Sequence, residues 1–151
     1  MKMGPDSALI PDGRENRYDM RTKTILVIDD DAAHRGLLRD VLEDAGFAVI
    51  AVGDAADALS QLSQDIDLVL LDLVMPGATM DGFAFLSKVS DRAHLRNTPV
   101  IVLSGLGTSV LEALDPATAM TLRIVSVVSK PVDIETLVSM VRAALDVHDQ
   151  P

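Results

Sequence analysis

Five short apolar runs recur along the chain: "TILVID" (24–29), "AVIAV" (48–52), "DLVLLD" (67–72), "PVIVLS" (99–104) and "RIVSVVS" (123–129). Continuous Val, Ile and Leu, in place of apolar–polar alternation, mark strands covered on both faces. The segments between the runs carry helical patterns. "AAHRGLLRDVLEDAG" sets Leu37, Leu38, Val41 and Leu42 on one stripe, with Gly46 as a stop. Asp54 and Asp133 stand as N-caps before helical stretches, and segments 82–91, about 107–120 and 133–147 complete a fivefold strand–helix alternation. Such alternation implies a doubly wound α/β parallel sheet, whose functional groups gather at the carboxyl ends of its strands.

Bulk properties exclude several alternatives. A chain of 151 residues suits one domain, and its 48% hydrophobic content with 3% aromatic predicts a core of Leu, Val, Ile, Ala and Met. The net charge of −10 opposes nucleic acid or an anionic membrane as a direct partner. With no cysteine there is neither a disulfide nor a thiolate site. No apolar run approaches the roughly 18 residues of a membrane span, and "MKMGPDSALIPDGRENRYDM" lacks the apolar centre of a signal peptide, so a cytoplasmic location is expected. Residues 1–21, rich in Pro, Gly and charge, read as a flexible extension ahead of a domain over 22–148, with no output domain in the sequence.

The strand ends hold the chemistry. Strand 1 ends in Asp29, Asp30 and Asp31, strand 3 in Asp72, strand 4 in Ser104 and Gly105, and strand 5 in Ser129, Lys130 and Pro131. In a parallel sheet these ends share one rim. Crowded carboxylates need a counter-charge, and oxygen ligands with neither His nor Cys beside them favour Mg2+ or Mn2+. With Lys130 as a second cation, the set suits phosphoryl transfer to an aspartate. Asp31 reads better as a helix cap than as a ligand. The histidines His34, His94 and His148 read as scattered and solvent-facing, and "GLGTSV" (105–110) lacks the third glycine of a dinucleotide loop. Met75, Met120 and Met140 read as packing residues.

In "ILVIDDD" (25–31), "DLVLLDLVMPG…MDGFAFL" (67–86), "TPVIVLSG" (98–105) and "SKPVD" (129–133), the chain resembles the receiver domain of two-component response regulators, chemotaxis regulators among them. The resemblance covers about residues 22 to 147. It implies a flavodoxin-like five-stranded sheet of order 2-1-3-4-5, with Asp72 as phosphoacceptor and Mg2+ held by Asp29, Asp30, Asp72 and the Val74 backbone carbonyl. Ser104, Gly105 and Lys130 would bind the phosphoryl group, and Pro131 would follow a cis bond. The implied partners are a sensor histidine kinase or phosphotransfer protein and an unidentified downstream protein. A homodimer through segments 107–120, 123–129 and 133–147 also fits the family. The implied role is a signalling switch that catalyses only its own phosphorylation and dephosphorylation. A weaker similarity, over residues 101–137, is to receivers fused to cyclic-di-GMP phosphodiesterase (EAL) domains.

Three departures from the family pattern stand out. Ala78 and Thr79 lengthen the loop after Asp72. Val127 occupies the place of the usual switch aromatic, so signalling through backbone shifts is expected instead. Val74 and Leu106, where the family flanks the attacking water, cannot orient water by hydrogen bonding, which implies slow self-dephosphorylation. Two rival readings are weaker. A phosphatase of the haloacid dehalogenase type needs an acid where Val74 stands, and a receiver that works purely by binding usually lacks one of the acids or the lysine, all of which are present.

Overall fold

The computed structural model describes residues 21–62, 65–73, 82–92, 97–105, 117, 121 and 123–149. Strands β1 (Thr24–Ile28), β2 (Ala48–Val52), β3 (Leu68–Asp72), β4 (Val100–Ser104) and β5 (Ile124–Ser129) form one sheet of order β2-β1-β3-β4-β5. Every neighbouring pair is parallel. The described helices are α1 (Ala32–Asp44), α2 (Ala55–Ser60), α3 (Gly82–Ser90) and α4 (Ile134–Asp149). Apart from Ala117, which is helical, the segment expected to be a helix near 107–120 lies outside the described residues, as do the loop with Ala78 and Thr79, and Met75, Met120 and His94. No helix among the described residues is long and apolar enough to cross a membrane.

Successive strand residues point to opposite faces, so each strand feeds two cores. Leu26, Ile28, Val69, Leu71, Val100 and Val102 pack with α2 and α3 residues such as Ala58, Phe85 and Leu86. Ile25, Val27, Leu68, Leu70, Ile101 and Leu103 pack with Leu38 and Leu42 of α1 and Leu137, Val141 and Leu145 of α4. β1, β3 and β4 are thus buried almost throughout, as their continuous apolar runs require. The outer strands are only half-covered. In β5 the pairing skips Val125, which bulges out 38% exposed at the sheet edge.

Two expectations about packing are corrected. Leu37 does not share the buried stripe of Leu38 and Leu42: at 47% exposure it lies on the outer flank of α1. Methionine is absent from the described buried core; Met140 is only half-buried, and Phe85 supplies the large buried ring instead.

The helix starts follow from local chemistry. Asp31 caps α1 by accepting from the backbone N–H groups of Ala33 and His34, and Asp54 caps α2 through Ala56 N–H. Gly46, at φ +102°, ends α1 in the left-handed region that other residues avoid. Asp133 caps α4, accepting from the Thr136 backbone N–H at 3.1 Å and from its hydroxyl. The Thr136 hydroxyl, aided by its N–H, holds the Asp133 carboxyl below its ordinary pKa. At the opposite rim, Arg21 grips Asp67 through two hydrogen bonds, the shorter 2.7 Å, and Asp67 also accepts from Thr24 N–H.

Gly82 lets α3 start against the end of β3. A Cβ there would lie 2.7 Å from Leu73 Cα and 2.9 Å from Asp72 O, both backbone atoms that cannot step aside. Gly36, by contrast, has open space within α1. Gly82→Ala is therefore expected to lower stability by roughly 1–3 kcal/mol, while Gly36→Ala raises it by about 0.5–1 kcal/mol, both read by urea unfolding. Because the folded Asp133 carboxyl titrates below its unfolded value of about 3.9, its contribution is complete above that value and disappears as pH falls through the lower folded one. Asp133→Ala is expected to be less stable than the parent at neutral pH, with the gap narrowing as the pH falls below the ordinary carboxylate range in the same assay.

Candidate phosphoacceptor site

Asp72 is the last residue of β3 and Asp29 directly follows β1, its backbone N–H donating to Val52 O of β2 at 3.1 Å. Parallel pairing puts these strand ends, with Ser104 and Ser129, at one rim, where Ser104 is the register partner of Ser129 and Asp72 that of Leu103. One carboxylate oxygen from each of Asp29, Asp30 and Asp72 lies within 4.8 Å of the others. Asp29 and Asp72 are buried and Asp30 is half-buried. Lys130 reaches in from the end of β5, its Nζ donating to Asp72 Oδ2 at 2.9 Å. Burial works against the Lys130 charge, but the hydrogen bond and charge of Asp72, with Asp29 and Asp30 behind it, outweigh that and raise its pKa.

Three carboxylates against one ammonium leave a formal charge of 3 − 1 = 2 negative in a partly buried site. All the ligand atoms are hard oxygens. A divalent cation of the Mg2+ class matches both the charge and the donor set.

Ser104 is buried, and its carbonyl accepts from the Lys130 backbone N–H at 3.0 Å, so the ends of β4 and β5 are tied beside the site. Gly105 follows it, exposed, with nothing near its Cα that a side chain would meet. The Lys130–Pro131 peptide bond is cis. Val74 and Leu106 lie outside the described residues. Val127 is half-buried and packs against the core shared with α2 and α3.

Asp31 accepts the His34 and Ala33 N–H groups, and these bonds, the one from His34 foremost, lower its pKa. Sequence reasoning missed His34. Far from facing solvent, its ring is half-buried and its Nδ1 meets Asp29 Oδ2, so a histidine does stand beside the acids. The next residue, Arg35, donates from its guanidinium to the Asp29 carbonyl at 2.7 Å. The available signal was position: both belong to the first turn of α1, from which side chains lean back over the preceding loop.

Comparison with known proteins bears on the same residues. Residues 25–142 match the family model described as the response regulator receiver domain. The transcriptional regulatory protein CpxR of Escherichia coli K12 is 37% identical over 121 residues, which make up 80% of this chain and 48% of CpxR. The sensory/regulatory protein RpfC of Xanthomonas campestris is 39% identical over 92 residues, 59% of this chain and 12% of RpfC. The chain thus spans at most about half of these two relatives. Among solved structures, the chemotaxis response regulator CheY4 of Vibrio cholerae superposes with a TM-score of 0.71 at 25% identity, covering 83% of this chain and all of that one. The receiver domain of a signal transduction histidine kinase from Syntrophus aciditrophicus gives 0.69 at 27% identity, covering 83% and 92%. With the 2-1-3-4-5 sheet and an acid–lysine cluster at its rim, these matches show that the chain belongs to the response regulator receiver family of two-component signalling proteins.

Proposed function

We propose that Asp72 is the phosphoacceptor of a two-component switch, receiving its phosphoryl group from the phosphohistidine of a sensor histidine kinase or phosphotransfer protein. The observation that carries this reading is the Lys130–Asp72 contact inside the cluster of three carboxylates. An Asp72 oxygen attacks phosphorus, the phosphorus–nitrogen bond of the donor breaks, and its electron pair returns to the imidazole ring, leaving an acyl phosphate. Lys130 meets the charge on the phosphoryl oxygens, and the Ser104 hydroxyl and Gly105 N–H donate to them. Asp30, Asp72 and the Val74 carbonyl, with Asp29 in support, would hold a divalent cation, Mg2+ or Mn2+, which would neutralise that charge further.

The switch works through the strand ends. Because Lys130 N–H is bonded to Ser104 O, drawing either residue toward the phosphoryl group moves β4 and β5 together. This route does not need an aromatic at Val127. The shift favours one of two surface states, and an unidentified downstream protein or a second copy of the chain reads it. The chain acts on itself and turns over no outside metabolite. The receiver unit runs over 22–148, preceded by the extension 1–21, in a cytoplasmic protein.

Incubation with acetyl phosphate and Mg2+, followed by intact mass, is expected to give a single phosphoryl adduct. Asp72→Asn or chelation of the metal should abolish it, and Lys130→Ala should leave the acceptor chemistry or its switching impaired. An adduct that persists in Asp72→Asn would sink the assignment.

A further inference from the structure

Every polar atom of Asp29 is engaged by its own chain. Its N–H donates to Val52 O, and its carbonyl accepts from Arg35. Oδ1 accepts from Asp31 N–H at 2.9 Å, and Oδ2 meets His34 Nδ1. An ionised carboxylate only accepts, so the ring nitrogen facing it carries the proton. The Asp29 side chain is 1% exposed and that of His34 23%, so the imidazole lies between the buried acid and the surface. A carboxylate next to Asp30 and Asp72 is pushed outward by their charge, and a donor fixed on the first turn of α1 opposes that push.

We propose that His34 is a positioning residue for the cation site, its Nδ1–H holding the Asp29 carboxylate in the orientation from which it faces Asp30 and Asp72. The inference rests on the phosphoacceptor reading above. His34 does not bind the ion itself; it sets where one of the three acids stands. Donors bonded to metal-site carboxylates commonly govern affinity by fixing the ligand in advance of binding. Arg35 fixes the backbone of Asp29, Asp31 N–H holds one carboxylate oxygen, and His34 holds the other.

The test is a Mg2+ titration of the 15N-labelled full chain, followed by amide chemical shifts, for the parent, His34→Ala and His34→Asn. The Asn amide nitrogen stands about where Nδ1 does, so it keeps the donor. His34→Ala is expected to weaken Mg2+ binding roughly tenfold, with His34→Asn close to the parent. Acetyl phosphate labelling of His34→Ala should need correspondingly more Mg2+ yet reach full extent once the cation saturates. Should His34→Ala fail to fold, His34→Leu, which keeps bulk without a donor, takes its place. Equal Mg2+ affinity in parent and donor-less variant overturns the proposal, as does His34→Asn falling as far as His34→Ala. A parent that binds no Mg2+ at all contradicts the phosphoacceptor reading itself, which separates that failure from failure of the role given to His34.

Discussion

Like charges are brought together here at a cost that the rest of the fold must carry. The Asp29, Asp30 and Asp72 oxygens meet within 4.8 Å, two of the acids are buried, and the Lys130 ammonium reaches Asp72 at 2.9 Å. Coulomb repulsion at such separations is several-fold stronger beside low-dielectric protein than in bulk water. Nothing in packing alone favours such a site. It persists because each acid sits at the end of a strand or in the loop that follows, anchored in an apolar sheet whose central strands are buried on both faces.

The same arrangement links stability to signalling. Asp29 is locked by Val52, Asp31, His34 and Arg35, whereas Asp72 is gripped by a lysine on a flexible stem. In the proposed function, the rigid acid would prepare a place for a cation, and the Lys130 ammonium would follow a phosphoryl group. The bond from Lys130 N–H to Ser104 O then couples the site to two strand ends, one of them on the half-covered edge strand β5. Motion is least costly where packing is thinnest, and the proposed switch would lead there.

Much of this was legible in the sequence because its physics is local. Unbroken Val/Ile/Leu runs identified strands, and caps such as Asp54 and Asp133 marked helix starts near where they occur. The rim acids and Lys130 were found because strand ends in a parallel sheet must converge. What escaped depended on tertiary neighbours. Periodicity put Leu37 on the buried stripe, yet the stripe on α1 is narrower than its pattern. Apolar runs alone do not say which strands are edges, since edge position is set by strand order; the order 2-1-3-4-5 implied by the family resemblance did place β2 and β5 there. His34 was dismissed for want of a metal-spaced partner, whereas its partner is an acid five residues earlier, across the turn from β1 into α1.

If unrelieved repulsion among the three acids is the central constraint, a functional acid should weaken the metal-free fold. The most direct measurement is the melting temperature of the parent and of Asp30→Asn, each with and without Mg2+. The expected result is that Mg2+ raises the parent's melting temperature by binding the folded state, that Asp30→Asn melts higher than the metal-free parent, and that Mg2+ no longer stabilises it. A parent indifferent to Mg2+, together with an Asp30→Asn variant that melts lower, would contradict it.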